Sequence, residues 1–164
     1  LGAGVLIVQH MPEGFTASLA RRLAETSTLG VREARDGDPI SPGTALVARA
    51  GRHLEVASRD RVRLSAAPPV GALRPRADIT IDSAVAHYGK AVVAVILTGM
   101  GADGTTGCGH VRAAGGRVLV EDESTAVVWG MPGSVAGAGY ADAVLPLDAI
   151  PLAITEAVAQ LAGR

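Results

Sequence analysis

Apolar residues in this chain come in short runs, each ending on a polar or glycine-rich stretch. Val5-Leu6-Ile7-Val8 runs into Gln9 and His10. Val92-Val93-Ala94-Val95-Ile96-Leu97 runs into Thr98-Gly99-Met100-Gly101-Ala102-Asp103-Gly104. Runs this short and β-branched predict strands buried on both faces of a parallel sheet. After the first run, Pro12 and Glu13 open a predicted helix that reaches about Thr26. Phe15, Leu19 and Leu23 fall at i, i+4 and i+8 as its buried stripe, with Arg21, Arg22 and Glu25 on the wet side. Residues 30–34 predict a short strand, and Asp36-Gly37-Asp38-Pro39 a turn.

Residues 40–66 read differently. Residues 44–48, 54–57 and 61–65 are short strand candidates, and Arg61-Val62-Arg63-Leu64-Ser65 alternates as a half-exposed antiparallel strand would. Ser58-Arg59-Asp60 is a hairpin loop, so the region is expected to be an antiparallel elaboration rather than a second domain. Residues 68–75, with three prolines, are an irregular connection.

Alternation then resumes. A helix is expected over 77–88, with Ile81, Ala84 and Val85 on one face, and a strand over 91–97. A helix over 105–114 leads to a strand over 117–120, closed by Glu121-Asp122-Glu123. Pro132 starts a short helix, residues 143–145 form a strand, and Asp148 is placed to cap the last helix with Pro151 in its first turn. Repeated strand–helix units predict an α/β fold. The expected form is a three-layer α/β/α arrangement with a mainly parallel, doubly wound sheet and a small antiparallel hairpin.

Composition narrows the class. At 164 residues the chain fits one domain with its own core, and 48% hydrophobic residues exclude disorder. Its aromatics are Phe15, Tyr88, Trp129 and Tyr140, so the core must be built from Val, Leu, Ile and Ala. A formal net charge of −1 without a basic run argues against nucleic acid. No apolar stretch is long enough to enter and cross a bilayer, and the apolar start lacks the basic flank of a signal peptide. The single Cys108 forms no internal disulfide, fits a reducing cytoplasm, and reads as a small buried hydrophobe.

Side chains just past the carboxyl ends of parallel strands gather where open α/β sheets bind ligands. His10 and Asp103 hold such places and resemble the base and orienting acid of a hydrolase. Asp103 has a second reading, as cap of the helix that follows. The loop also matches G-x-G-x-x-G at Gly99, Gly101 and Gly104, with Glu121 and Asp122 near the place of a ribose-binding acid. That makes a dinucleotide-binding oxidoreductase domain the second enzyme class, weakened by Gly107 and Gly109 in the next helix. Among the other histidines, His87 and His110 fall on predicted helix surfaces, and His53 lies at a turn from which it could approach a site. No histidine pair at i, i+4 and no cysteine cluster occurs, so no metal is expected. No serine sits in a strand–Gly-x-Ser-x-Gly–helix elbow, and Ser124 alone falls near the crevice.

Taken together, several segments resemble the catalytic domain of bacterial chemotaxis protein-glutamate methylesterases, over essentially the whole chain. They are Val8-Gln9-His10-Met11-Pro12-Glu13-Gly14-Phe15-Thr16, Asp36-Gly37-Asp38-Pro39, Gly51-Arg52-His53-Leu54 and Leu97-Thr98-Gly99-Met100-Gly101-Ala102-Asp103-Gly104. Glu121-Asp122-Glu123-Ser124, Gly130-Met131-Pro132 and Val144-Leu145-Pro146-Leu147 follow in the same order.

The resemblance implies a Ser-His-Asp hydrolase that removes methyl groups from glutamate side chains of chemoreceptors, releasing methanol, with glutamine deamidation in some members. His10 would be the base and Asp103 its orienting partner. Backbone N–H groups near Gly99, Met100 and Gly101 would contact the oxyanion, and Met100 and Met131 would line the substrate groove or fill the core. No cofactor is required. The implied partner is a methylated receptor's cytoplasmic helices or another protein substrate, and the implied location is the cytoplasm.

Three departures stand out. The family's serine lies in a Gly-Ala-Ser-Thr-Gly-Gly loop upstream of the histidine segment, and its usual receiver domain precedes that. Neither occurs in residues 1–164. The chain is therefore expected to be a fragment of an active enzyme whose upstream strand completes the sheet. The alternative is a domain of the same fold without the nucleophile, kept for binding or regulation. Further along, Leu73-Arg74-Pro75-Arg76-Ala77-Asp78 replaces a segment that usually reads His-Arg-Pro-Ser-Val-Asp.

Overall fold

The structure, a computed structural model, describes residues 1–163. The elements in chain order are β1 (Val5–Ile7), α1 (Thr16–Thr26), β2 (Gly30–Glu33), β3 (Thr44–Val47), β4 (His53–Ser58) and β5 (Arg61–Ser65). Then come α2 (Ala77–Tyr88), β6 (Val93–Ile96), α3 (Thr105–Ala113), β7 (Arg117–Glu121), α4 (Met131–Gly137), β8 (Ala143–Leu145) and α5 (Ile150–Ala162). Single 3-10 turns occupy Gly89–Ala91 and Leu147–Ala149. Parallel strands alternating with helices, plus one antiparallel pair, give the α/β class expected. Two compact units divide the chain, Leu1–Ser83 and the residues from Ala84 onward.

In the first unit the parallel sheet runs β1-β3-β2, with Val5 opposite Ala45, Ile7 opposite Val47, and Glu33 opposite Val47 on the other side. β3 was expected to belong with the antiparallel hairpin. Instead it is the central parallel strand. Ala45, Leu46, Val47 and Ala48 are all sealed from solvent, as a strand covered on both faces requires. The hairpin is β4 and β5 alone, with a bulge between Val56 and Ser58. Leu54 and Val62 from the hairpin join Ala34, Leu46 and Ala48 in one cluster, against which Leu6, Val8, Ile40 and Leu64 pack.

Helix α1 starts at Thr16, later than expected. Gly14 lies at φ 89, outside helical geometry, so no regular turn forms before it. Phe15 consequently sits at the N-cap and is 56% exposed, not part of a buried stripe. Thr16 and Ala20 form the buried face, flanked by half-buried Leu19 and Leu23. In α2, Ile81, Ala84 and Val85 are only half-buried. The buried residues are Ala77, Asp78 and Thr80, and polar contacts bind this end to the hairpin. Thr80 Oγ1 donates to the Leu54 carbonyl at 2.6 Å, and the Val56 N–H donates to Ser83 Oγ at 2.8 Å.

In the second unit the sheet runs β6-β7-β8, all parallel. Val118, Leu119, Val120 and Glu121 of the central strand are buried. Helices α3, α4 and α5 all pack on β7. Cys108 on α3 is buried as a small hydrophobe beside Val111. Asp148 does not cap α5. Proline at 146 starts a separate 3-10 turn containing Asp148, so the helix begins two residues later with Ala149 at its N-cap. No helix among the described residues is long and apolar enough to cross a membrane.

Candidate active site

His10 follows the carboxyl end of β1, and the chain around it is held from two sides. The Ile7 carbonyl accepts the Ala48 N–H at 2.8 Å, closing β1 onto β3. Beyond the loop, buried Thr16 donates to Glu33 Oε1 at 2.6 Å and accepts the Ala50 N–H at 3.3 Å. One hydroxyl thus ties the start of α1 to β2 and to the segment after β3. The half-buried His10 lines a recess of about 240 Å³ with Met11, Pro12, Ala72, Leu73, Arg74 and Pro75. The substituted segment at residues 73–78 therefore contributes a wall to the recess that holds the candidate base.

Asp103 follows the carboxyl end of β6 and is 4% exposed. The N-cap of α3 is Gly104, at φ 89, so Asp103 is not the cap residue. The loop before it is fastened to the segment after β7. The Gly99 N–H donates to the Val128 carbonyl at 2.9 Å, and the Gly99 carbonyl accepts N–H bonds from Gly130 at 3.1 Å and Met131 at 2.8 Å. A Cβ on Gly130 would stand 2.7 Å from the Gly99 oxygen and 3.0 Å from the Gly101 nitrogen, so only glycine allows this approach.

Glu121 completes the fastening, a role the sequence did not disclose. Its carboxylate is 1% exposed, accepts the Thr98 N–H at 2.7 Å and accepts the Thr125 hydroxyl at 3.2 Å. The Glu121 carbonyl accepts the Trp129 indole N–H at 2.9 Å. An acid directly following the apolar run Val118-Leu119-Val120 was the available signal, since a carboxylate buried with that run needs donors. An acid consumed this way has no oxygen left facing outward for a ribose. The second acid offered for that role is also engaged. Ser124 donates its hydroxyl at 2.6 Å and its N–H at 2.9 Å to Asp122, which holds that carboxyl below the usual aspartate range. The same bond explains why Ser124 is a poor nucleophile candidate, because its proton is directed at a carboxylate rather than an imidazole.

Of the backbone donors proposed for an oxyanion, that of Gly99 is already committed to Val128. Gly101 lies at φ 88, and the Met100 side chain is 83% exposed. Half-buried Met131 packs over Gly99, where a Cβ would stand 2.6 Å from its sulfur. His53 is completely buried at the start of β4 and does not line the His10 recess. Its Nε2 lies 3.2 Å from the Pro68 carbonyl, an acceptor, so Nε2 carries the proton and Nδ1 is left without a partner. Among the described residues no group of three or more His, Cys, Asp or Glu could hold a metal ion.

Compared with known proteins, the chain matches the CheB methylesterase family over residues 1–154. The chain belongs to that family. A protein-glutamate methylesterase/protein-glutamine glutaminase of Symbiobacterium thermophilum is 51% identical over 160 residues, covering 98% of this chain and 44% of that protein. Its namesake from Thermotoga maritima is 45% identical over 159 residues, covering 95% of this chain and 46% of that protein. The chain thus spans under half the length of these relatives. The crystal structure of the Thermotoga maritima CheB methylesterase catalytic domain superposes with a TM-score of 0.91 at 45% identity, covering 93% of this chain and 82% of that one. Family membership removes the oxidoreductase reading, as does the internal use of Glu121.

Proposed function

We propose that this chain is catalytic machinery of a protein-glutamate methylesterase. It hydrolyses glutamate γ-methyl esters on chemoreceptor-type proteins, with glutamine deamidation as a related activity. The observation that carries this reading is the family match over residues 1–154, which includes both the His10 and the Asp103 segments. Each residue stands beyond the carboxyl end of a parallel strand, where such sheets place reacting groups.

In this reading His10 is the general base and Asp103 orients its ring and stabilises the imidazolium. The nucleophile is the serine of a Gly-Ala-Ser-Thr-Gly-Gly segment outside residues 1–164. Its oxygen attacks the ester carbonyl as His10 takes the proton. The tetrahedral oxyanion is met by backbone N–H groups, with those of Met100 and Gly101 the best available since that of Gly99 is engaged. Collapse returns the proton to the leaving methoxide as methanol, and water then frees the glutamate. The side chains of Met100 and Met131 border the substrate. The protein acts in the cytoplasm on receptor helices, under the control of a receiver domain in the full-length protein.

The test is methanol release from a methylated receptor by the full-length protein and by its His10→Ala variant. Loss of about 10⁴-fold or more in kcat on His10→Ala is expected, the scale at which triad members act together. Turnover that survives His10→Ala would overturn the assignment. A full-length protein that binds receptor but never releases methanol would favour the nucleophile-less binding module.

A further inference from the structure

A second recess, of about 310 Å³, adjoins the one that holds His10, and Arg74 lines both. Its other walls are Glu13, Arg49, Gly51 and Arg52, with Ala50 and Ala66 between them. All belong to the first unit. Three guanidinium groups thus face one concavity against a single carboxylate. Arg49 and Arg52 are exposed and take part in none of the ion pairs among the described residues. Arg74 is anchored, donating from Nη1 to the Ala66 and Ala67 carbonyls at 3.4 and 3.2 Å, while its buried Nε has no acceptor. The backbone shapes the cradle. Gly51 lies at φ 79, its N–H donates to the Arg74 carbonyl at 3.1 Å, and a Cβ there would overlap the Glu13 carboxylate.

Arginines around a concavity, two of them outside any ion pair among the described residues, offer planar, forked donors that suit a carboxylate. The sequence holds no basic run, and its formal net charge is −1. Three arginines at one recess make a point of positive charge rather than a track for a polyanion. Glu13 inside the recess opposes a multiply charged phosphate more strongly than a single carboxylate. We propose that Arg49, Arg52 and Arg74 form a carboxylate subsite that takes an acidic side chain neighbouring the esterified glutamate on the protein substrate. This deepens, and rests on, the esterase reading above. The subsite selects esters that lie in acidic segments, with the carboxylate held by Arg49 and Arg52 beside the anchored Arg74 and the ester delivered to the His10 recess.

The test uses the full-length protein and two synthetic peptides, each with one glutamate γ-methyl ester. One carries Glu beside the ester and the other carries Gln. Binding is measured by calorimetry in a His10→Ala background, and methanol release in the otherwise unmodified enzyme. The Glu peptide is expected to bind about tenfold tighter, the scale of a partly exposed charge-assisted contact. An Arg49→Gln/Arg52→Gln double variant, altered only at exposed side chains, should remove that preference by raising KM while leaving kcat unchanged. Glu13→Gln should widen the preference. Equal affinity for the two peptides, or a double variant that weakens both equally, overturns the subsite. Carboxylate-dependent binding with no methanol from either peptide would overturn the esterase reading and leave the subsite standing. Methanol release indifferent to the neighbouring carboxylate would do the reverse.

Discussion

Removing the Glu121 carboxylate tests whether the loop carrying Asp103 is held in place from β7. In Glu121→Ala the Thr98 N–H loses its 2.7 Å acceptor, and the Thr125 hydroxyl still accepts the Leu147 N–H at 3.0 Å but donates only to the Asp122 carbonyl at 3.4 Å. A hydrogen bond to a charged acceptor contributes about 1.5–3 kcal/mol. Truncating a buried side chain adds a packing loss, while relief of carboxylate desolvation offsets part of both. The balance is a destabilisation of about 2–3 kcal/mol in the second unit. Glu121→Gln is the informative control. Its amide oxygen still accepts from Thr98, and its NH₂ can donate to the Thr125 oxygen, so the cost should stay near 1 kcal/mol.

The assay is native-state amide hydrogen exchange. Thr98 N–H protection should fall by roughly 30- to 150-fold in the alanine variant, following tenfold per 1.4 kcal/mol. The β6 amide of Ile96, which faces β7, serves as the internal reference. Protection at Thr98 unchanged in Glu121→Ala would show that the Gly99–Val128 and Gly99–Met131 bonds suffice and that Glu121 positions nothing.

Gly130→Ala places a methyl 2.7 Å from the Gly99 oxygen and 3.2 Å from the Met100 Cα. Because backbone must move, methanol release by the full-length enzyme should fall at least about tenfold while stability drops by about 1–3 kcal/mol in a denaturant titration. Thr16→Val removes the hydroxyl shared by Glu33 and the Ala50 N–H and should cost about 2 kcal/mol, read from the same titration; a neutral result would deny that this hydroxyl anchors the His10 loop. Asp122 is held low by the Ser124 hydroxyl first and its N–H second. A depressed folded value means its stabilising contribution is complete above the ordinary aspartate range and is lost as pH falls through the folded value. Ser124→Ala should therefore move the carboxyl resonance midpoint of Asp122 upward in an NMR titration and destabilise the protein at neutral pH but not in strong acid.

The sequence determined the element types in most places and the family outright. The β-branched runs before His10 and before Thr98 do form parallel strands, but not ones buried on both faces as expected: β1 is half-buried throughout and β6 alternates half-buried and buried residues. The motif order around His10, Gly99–Gly104 and Gly130-Met131-Pro132 carried the resemblance that the family match bears out. Part of what failed depended on partners distant in sequence, and part on a neighbouring Gly or Pro. The run at Thr44–Val47 has the same local pattern whether it pairs with a hairpin or lies between β1 and β2. Only tertiary pairing placed it at the centre. Phe15 fits a helical stripe by spacing, yet Gly14 delays the helix by enough to turn that ring outward.

Tertiary structure alone decided the polar fastenings. Thr16 reaches Glu33 across 17 residues, Glu121 reaches Thr98 across 23, and Gly99 meets Trp129 as a strand-like bridge. It also gathered Arg49, Arg52 and Arg74 around one recess, where the sequence shows only scattered cations. The physical reason is the same in each case. Hydrophobic periodicity is a local property that survives in one dimension. A hydrogen bond or a charge cluster exists only once the chain has brought its members within a few ångströms of each other.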